Sequence, residues 1–191
     1  MTTKDFKILI ADNDRLIQDV IKSLLSKEGY AVVLANDGFD ALKILKTEDI
    51  SLVITALKMS GVNGIEILKY AIRVNPDIAV VILTTFGDLE ATLQAVKEGA
   101  YDYLTKPFKA EEIAFLVDKA YKRSILINEN RELLRYLRDT YQDMEVIKTA
   151  AESNNPGITL GIIERMERLR TMNVLTPQEV EILKERLVKG V

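Results

Sequence analysis

From Lys7 to about Arg123, short apolar runs of strand length alternate with stretches of helical period. The first run is KILIA (Lys7–Ala11). The stretch behind it sets Leu16, Val20, Leu24 and Leu25 on one helical face and closes at Gly29, a residue that accepts the left-handed backbone on which helices often end. AVVLA (Ala31–Ala35) follows, then a helix after Asp37-Gly38 with Leu42 and Leu45 facing inward. The remaining runs are SLVITA (Ser51–Ala56), IAVVILT (Ile78–Thr84) and the short YDYLT (Tyr101–Thr105). The third and fourth are almost unbroken Val, Ile and Leu, as in strands covered on both faces. Strands alternating with helices predict an α/β fold, a five-stranded parallel sheet doubly wound by helices. In such sheets the working site lies at the carboxyl ends of the strands, where the winding reverses. That singles out Ala11–Asp14, Ala56–Lys58, Thr84–Thr85 and Thr105–Lys106.

After Glu111 the pattern changes to one long helical period without Gly or Pro until Pro156. With Ile113, Ala120, Ile127, Leu134 and Tyr141 at heptad position a, position d holds Leu116, Arg123, Asn130, Leu137 and Met144. From Ile127 to Met144 this makes a coiled-coil seam with Asn130 as its register-setting polar residue and Arg123 as a weak point. The other reading is an amphipathic helix lying on its own domain. Ser153–Gly157 (SNNPG) reads as a break, residues 158–172 as a helix, Asn173-Val174-Leu175 as a turn and residues 176–189 as a second helix. Thr176, Pro177 and Glu179 supply that helix with an N-cap, a first-turn proline and a capping-box carboxylate. A hairpin this short buries little by itself, so a second copy is the expected partner. The predicted organisation is a domain over 1–123, a helical linker with coiled-coil character over 124–152, and a helical hairpin over 153–191.

Composition removes several chemistries. The 191 residues include no cysteine and no histidine, which excludes disulfides, thiolate metal sites, a Ser-His triad and a phosphohistidine relay on this chain. The net charge of −3 gives no strong electrostatic claim on nucleic acid or an anionic membrane. Basic and acidic residues are also nearly balanced from Ser124 onward. The N-terminus lacks the apolar run of a signal peptide, and nothing approaches the roughly 20 apolar residues of a membrane span. A cytoplasmic protein without membrane or nucleic-acid contact is the expectation.

The segments KILIADND, LVITALKMSGVNGIEIL, VVILTTFGD and KEGAYDYLTKPF together resemble a response-regulator receiver domain of two-component signalling, over roughly residues 5–123. The resemblance implies a flavodoxin-like fold. It also implies a phospho-accepting aspartate ending the third strand, two acidic residues after the first strand that hold Mg²⁺, and a lysine after the fifth strand that meets the phosphoryl oxygens. A hydroxyl after the fourth strand and an aromatic on the fifth would report the state to the surface. Lys106, Thr84 and Tyr103 match the last three positions, and the Lys106-Pro107 bond is cis in the family. Asp12 matches the first acidic position.

Two positions depart from the pattern. Ala56 stands where the phospho-acceptor belongs, and a methyl group neither attacks phosphorus nor ligates a metal. Asn13 replaces the second acid. What remains for Mg²⁺ is Asp12, Asn13 and the backbone carbonyl of Lys58, a weak or absent site, so no cofactor is expected. Thr55 and Ser60 have hydroxyls, but no base stands near to activate them. Ser51 and Ser60 also differ from the family pattern, which favours natural drift over an engineered Asp-to-Ala change. The tail, about residues 160–189, resembles a SHOCT-type helical hairpin. A LuxR-type helix-turn-helix is a competing likeness, for which no recognition helix follows.

The reading is a non-enzymatic pseudo-receiver in phosphorelay signal transduction, acting as a protein-protein interaction adaptor. Partners, such as a histidine kinase or another regulator, would dock on the face made by the fourth helix (residues 89–98), the fifth strand and the start of the fifth helix. Residues 124–191 would form a homo-oligomer. The alternatives are an ordinary phospho-accepting receiver with an engineered alanine at position 56, or a transcription regulator acting through its tail.

Overall fold

The computed structural model describes residues 2–85, 88–152 and 159–189. Among these residues, five strands and seven helices follow in the order β1 (Lys7–Ala11), α1 (Arg15–Lys27), β2 (Ala31–Ala35), α2 (Gly38–Thr47), β3 (Leu52–Ala56), α3 (Gly64–Val74), β4 (Ala79–Thr85), α4 (Leu89–Lys97), β5 (Asp102–Lys106), α5 (Ala110–Glu152), α6 (Thr159–Thr171) and α7 (Pro177–Lys189). All strand pairs are parallel, in the order β2-β1-β3-β4-β5. The doubly wound sheet is therefore as the strand runs imply, with β4 and β5 shifted by one residue so that Lys106 ends a strand.

The sheet divides two apolar layers. On one side Ile8, Ile10, Leu52, Ile54, Val81 and Leu83 pack against Ile21 and Leu25 of α1 and Ile113, Val117 and Ala120 of α5. On the other side Leu9, Val53, Val80 and Ile82 meet Ala41 and Leu45 of α2, Ile67, Leu68 and Ala71 of α3, and Ala95 of α4. Every residue of β3 is buried, which explains its continuous apolar sequence. Phe6, Tyr30 and Tyr121 close one end as three edge-to-face ring pairs at 5.4–5.9 Å.

The inward face of α1 differs from the expectation. Gln18, Ile21 and Leu25 are buried, whereas Leu16 is 77% and Val20 61% exposed. Asp14 fixes the phase of the helix as its N-cap, its carboxylate accepting from the amides of Leu16 and Ile17. Gln18 then points at the ends of β1 and β2, where its amide donates to the carbonyls of Asp12 (2.5 Å) and Ala35 (2.7 Å). The Asp12 carbonyl gains a donor there and the Ala35 carbonyl, which also accepts from the Asp12 amide at 3.3 Å, gains a second, so a polar side chain outranks an apolar one.

The chain divides into two compact units, one ending at Ile127 and the other beginning at Asn128. Arg123 is anchored in the first unit rather than weakening a seam. Its guanidinium donates to the Asp77 carbonyl at 2.7 Å and lies 5.6 Å from the Tyr101 ring centre. The second unit has its own core of Ile147 and Ala150 from α5, Ile162, Met166 and Leu169 from α6, and Leu175 and Val180 at α7. The hairpin thus finds an apolar partner within its own chain, in the last turns of α5. Buried Asp143 ties it down by ion pairs to Arg165 (2.7 Å) and Arg168. Asn173 takes a positive φ of 56° in the turn, and Thr176 and Glu179 form the anticipated reciprocal cap. The predicted break at Ser153–Gly157 lies outside the described residues.

Candidate functional site

β1 and β3 end side by side at the point where the winding of the sheet reverses, and β4 and β5 continue the row. Ala11 is the last residue of β1, so Asp12 is held directly above the strand ends, with 1% of its surface exposed. Its Oδ1 accepts from the Asp14 amide at 3.0 Å and its Oδ2 from the Lys106 ammonium at 2.5 Å. Lys106 arrives from the end of β5 and is followed by a cis bond to Pro107. A buried carboxylate requires such a counter-charge, and Lys106 supplies it at one oxygen while the Asp14 amide holds the other.

Ala56 closes β3 beside this pair, 4% exposed. A small cavity of about 50 Å³ opens next to it, lined by Ala56, Leu83, Thr84 and Lys106 together with Lys58 and Asp88. Space of that size holds a water or two. Thr84 is buried in the wall, its hydroxyl donating to the Thr85 carbonyl at 3.4 Å. Thr55 is wholly buried and donates to the Ala56 carbonyl at 3.2 Å, which removes it as a substitute nucleophile; Ser60 lies at the exposed surface. Tyr103 points outward from β5 with 47% of its surface exposed.

Asn13 is exposed beside Asp12 and contributes no charge. The buried carboxylate of this site, Asp12, already has an ammonium on one oxygen and a peptide N–H on the other. Mg²⁺ sheds water reluctantly and favours anionic oxygen ligands. This donor set does not suit it, and the described residues contain no cluster of three or more Asp or Glu side chains arranged to hold a metal ion. The structure thus brings Asp12, Ala56, Thr84 and Lys106 together, keeps Asn13 and Lys58 at the rim, and leaves Tyr103 on the outer surface.

Two arrangements have no counterpart in the sequence reading: the side-chain tie among Lys58, Asp88 and Thr85, and the Gln18 amide. Lys58, exposed in the loop after β3, pairs with Asp88 at 2.7 Å, and the Thr85 hydroxyl donates to the other Asp88 oxygen at 2.8 Å. These bonds, Lys58 first and Thr85 second, hold the Asp88 carboxyl below the usual carboxylate range. The tie spans the mouth of the cavity and joins the β3–α3 and β4–α4 connections. Gln18 is the second, and its sequence signal is a lone amide in phase with Ile21 and Leu25.

Comparison with known proteins places this geometry. The response regulator receiver domain matches residues 8–118. The chain is similar to the C4-dicarboxylate transport transcriptional regulatory protein DctD of Rhizobium meliloti (strain 1021), 28% identical over 178 residues covering 92% of this chain and 36% of that protein. It is also similar to the transcriptional regulatory protein ZraR of Escherichia coli (strain K12), 35% identical over 120 residues covering 63% of this chain and 27% of that one. It therefore spans only about a third of the length of these relatives. Among solved structures, a response regulator receiver domain protein from Clostridium thermocellum superposes with a TM-score of 0.61 at 36% identity, over 64% of this chain and 98% of its own. NtrX from Brucella abortus gives 0.62 at 29% identity, over 66% of this chain and 29% of its own. Strand order, the cis Lys106-Pro107 bond, the Lys106–Asp12 pair and the matched residues agree: the chain belongs to the response regulator receiver domain family.

Proposed function

We propose that this protein is a pseudo-receiver, an adaptor that keeps the receiver scaffold and has given up phosphoryl chemistry. The observation that carries the reading is Ala56 at the carboxyl end of β3, beside an Asp12–Lys106 pair that has closed on itself. Phosphoryl transfer depends on a nucleophile and on neutralised charge held in place. Here the nucleophile is a methyl group, and the remaining carboxylate has spent its charge on Lys106. On this reading Asp12, Asn13, Thr84, Tyr103 and Lys106 are family positions retained for shape, and domain 1–123 presents a surface in one state.

The face formed by α4, β5 and the start of α5 suits a protein partner. Leu93 and Val96 on α4 and Tyr103 on β5 are about half exposed. Glu98 is tied to Lys69 of α3 at 2.8 Å, so its reversal would disturb the fold as well as the surface. Lys97 is free of that objection. Lys97→Glu combined with Leu93→Ser should abolish capture of partners from the native source while leaving thermal stability within a degree or two, as surface changes do. Undiminished capture of every partner would remove this face from consideration.

Self-association through residues 124–191, a linker and a SHOCT-like hairpin, is the second element. Leu133, Leu134, Leu137, Tyr141 and Met144 are all exposed on α5, at the g, a and d positions of the heptads. Leu134→Asp with Leu137→Asp should convert a dimer to a monomer in light scattering, because two charges per chain cannot be desolvated in an apolar seam. An unchanged mass would exclude the seam.

A transcription regulator is the second reading, favoured by one observation: the similarity to DctD runs over 92% of this chain and so includes the tail. It predicts a salt-dependent mobility shift with DNA; the adaptor reading predicts none.

A further inference from the structure

The second unit contains a groove of about 670 Å³ between α5 and α7, walled by Tyr141, Met144, Ile147, Leu175 and Leu183. Tyr141 is 79% and Met144 41% exposed, so the groove begins where the apolar stripe of α5 ends its run. We propose that this groove receives Tyr141 and Met144 of a second copy of the chain, so that two α5 helices and two α7 helices close a parallel twofold core. The proposal rests on the self-association reading and adds α7 as a wall of the interface.

Four features favour a second copy as the occupant. The first is continuity, since Tyr141 and Met144 are at once the last a and d residues of the exposed stripe and the first residues of the groove wall. The second is width. Leu133 at g lies beside Leu134 at a and Leu137 at d, and a stripe of three positions in seven fits a bundle, whereas a two-stranded coil uses only a and d. α7 provides the additional wall. The third is charge. The rim holds Glu145 against Lys148 and Arg186, both signs on one patch, so a twofold copy can set unlike charges together. A partner of a single charge would not be so matched.

The fourth feature sets the direction. Parallel register lets Asn130 at d meet Asn130 of the other copy, amide to amide, whereas an antiparallel pair sets it against an apolar a position and leaves it unsatisfied.

The chain has no cysteine, so a single introduced thiol reports one position in the full-length protein. Leu137→Cys alone tests the parallel seam by disulfide formation. Met144→Cys, mixed after subunit exchange with a mass-tagged Arg186→Cys chain and treated with a short bismaleimide, tests the α7 wall. Glu132→Cys, at position f away from the seam, replaces Met144→Cys in the control mixture. The expected result is a Leu137→Cys disulfide dimer and a Met144–Arg186 mixed product about tenfold above the control, given the short reach of such links. A Leu137→Cys dimer with the mixed product at control level would leave the seam standing and overturn the groove assignment. No cross-link in either test, with a monomer mass for the unmodified chain, would overturn the self-association reading beneath it. An amphiphile retained on a monomer in native mass spectra would overturn the proposal in favour of a small-molecule site.

Discussion

Lys106→Met is expected to cost the receiver unit about 3 kcal/mol, because it leaves the carboxylate of Asp12 buried without its counter-charge. Asp12 is 1% exposed and the Lys106 side chain 19%, so water can replace the ammonium only in part. The remaining donor to the carboxylate is the Asp14 amide, and one neutral hydrogen bond does not offset the burial of a full charge. Urea unfolding followed by circular dichroism reads the loss, and hydrogen exchange on β1 and β3 assigns it to this unit. Asp12→Asn in the Lys106→Met background should recover most of it, since the uncompensated charge is then gone. A loss below about 1 kcal/mol would mean that the pair is screened as a surface pair is.

Gly64→Ala should cost about 2 kcal/mol, within the range for a group forced into filled space. A Cβ on Gly64 would stand 2.4 Å from the Ala56 carbonyl oxygen and 3.1 Å from the Leu57 Cα, and both are backbone atoms. No side chain can swing aside, so either α3 or the end of β3 must move. The Gly64 amide also donates to the Leu57 carbonyl at 2.9 Å, which the shift would stretch. Urea unfolding measures the cost, and amide shifts around Ala56 and Leu57 show whether the strand end has moved. Stability equal to that of the unmodified protein would show that the β3–α3 connection yields freely. The position of residue 56 would then be less tightly defined than the close contacts imply.

How much of this was legible in the sequence follows from how local each determinant is. Continuous Val and Ile runs of strand length alternating with helical segments fit a covered parallel sheet, so the sheet and its carboxyl-end site could be read from that alternation. The meeting of Asp12, Ala56, Thr84 and Lys106 followed from that rule and from the family resemblance. The phase of α1 could not be read from Leu16 and Val20, because it is fixed by the Asp14 cap and by two carbonyls to which Gln18 donates. The Lys58–Asp88–Thr85 tie was hidden because it joins residues 30 positions apart through loop geometry. The hairpin's partner was misjudged for a similar reason. Ile147 and Ala150 lie beyond the predicted seam and entered no sequence reading, yet they form one side of a three-helix core, with Asp143 held between two arginines.

The heptad register also spans two environments. Ile113, Leu116 and Ala120 at its start are buried against the sheet, and Leu134, Leu137 and Tyr141 are exposed. One periodic pattern serves both because an amphipathic helix needs the same spacing whether it covers its own sheet or another helix.

The central claim is that the scaffold is sound and only its acceptor chemistry is gone. Intact mass after incubation with acetyl phosphate and Mg²⁺ tests it most directly, with an Asn13→Asp, Ala56→Asp double variant alongside. A sound scaffold gives no adduct on the native chain and a single phosphoryl mass on the variant, whose restored carboxylates supply both the nucleophile and the metal ligands. An adduct on the native chain would contradict the claim and reveal an acceptor other than residue 56.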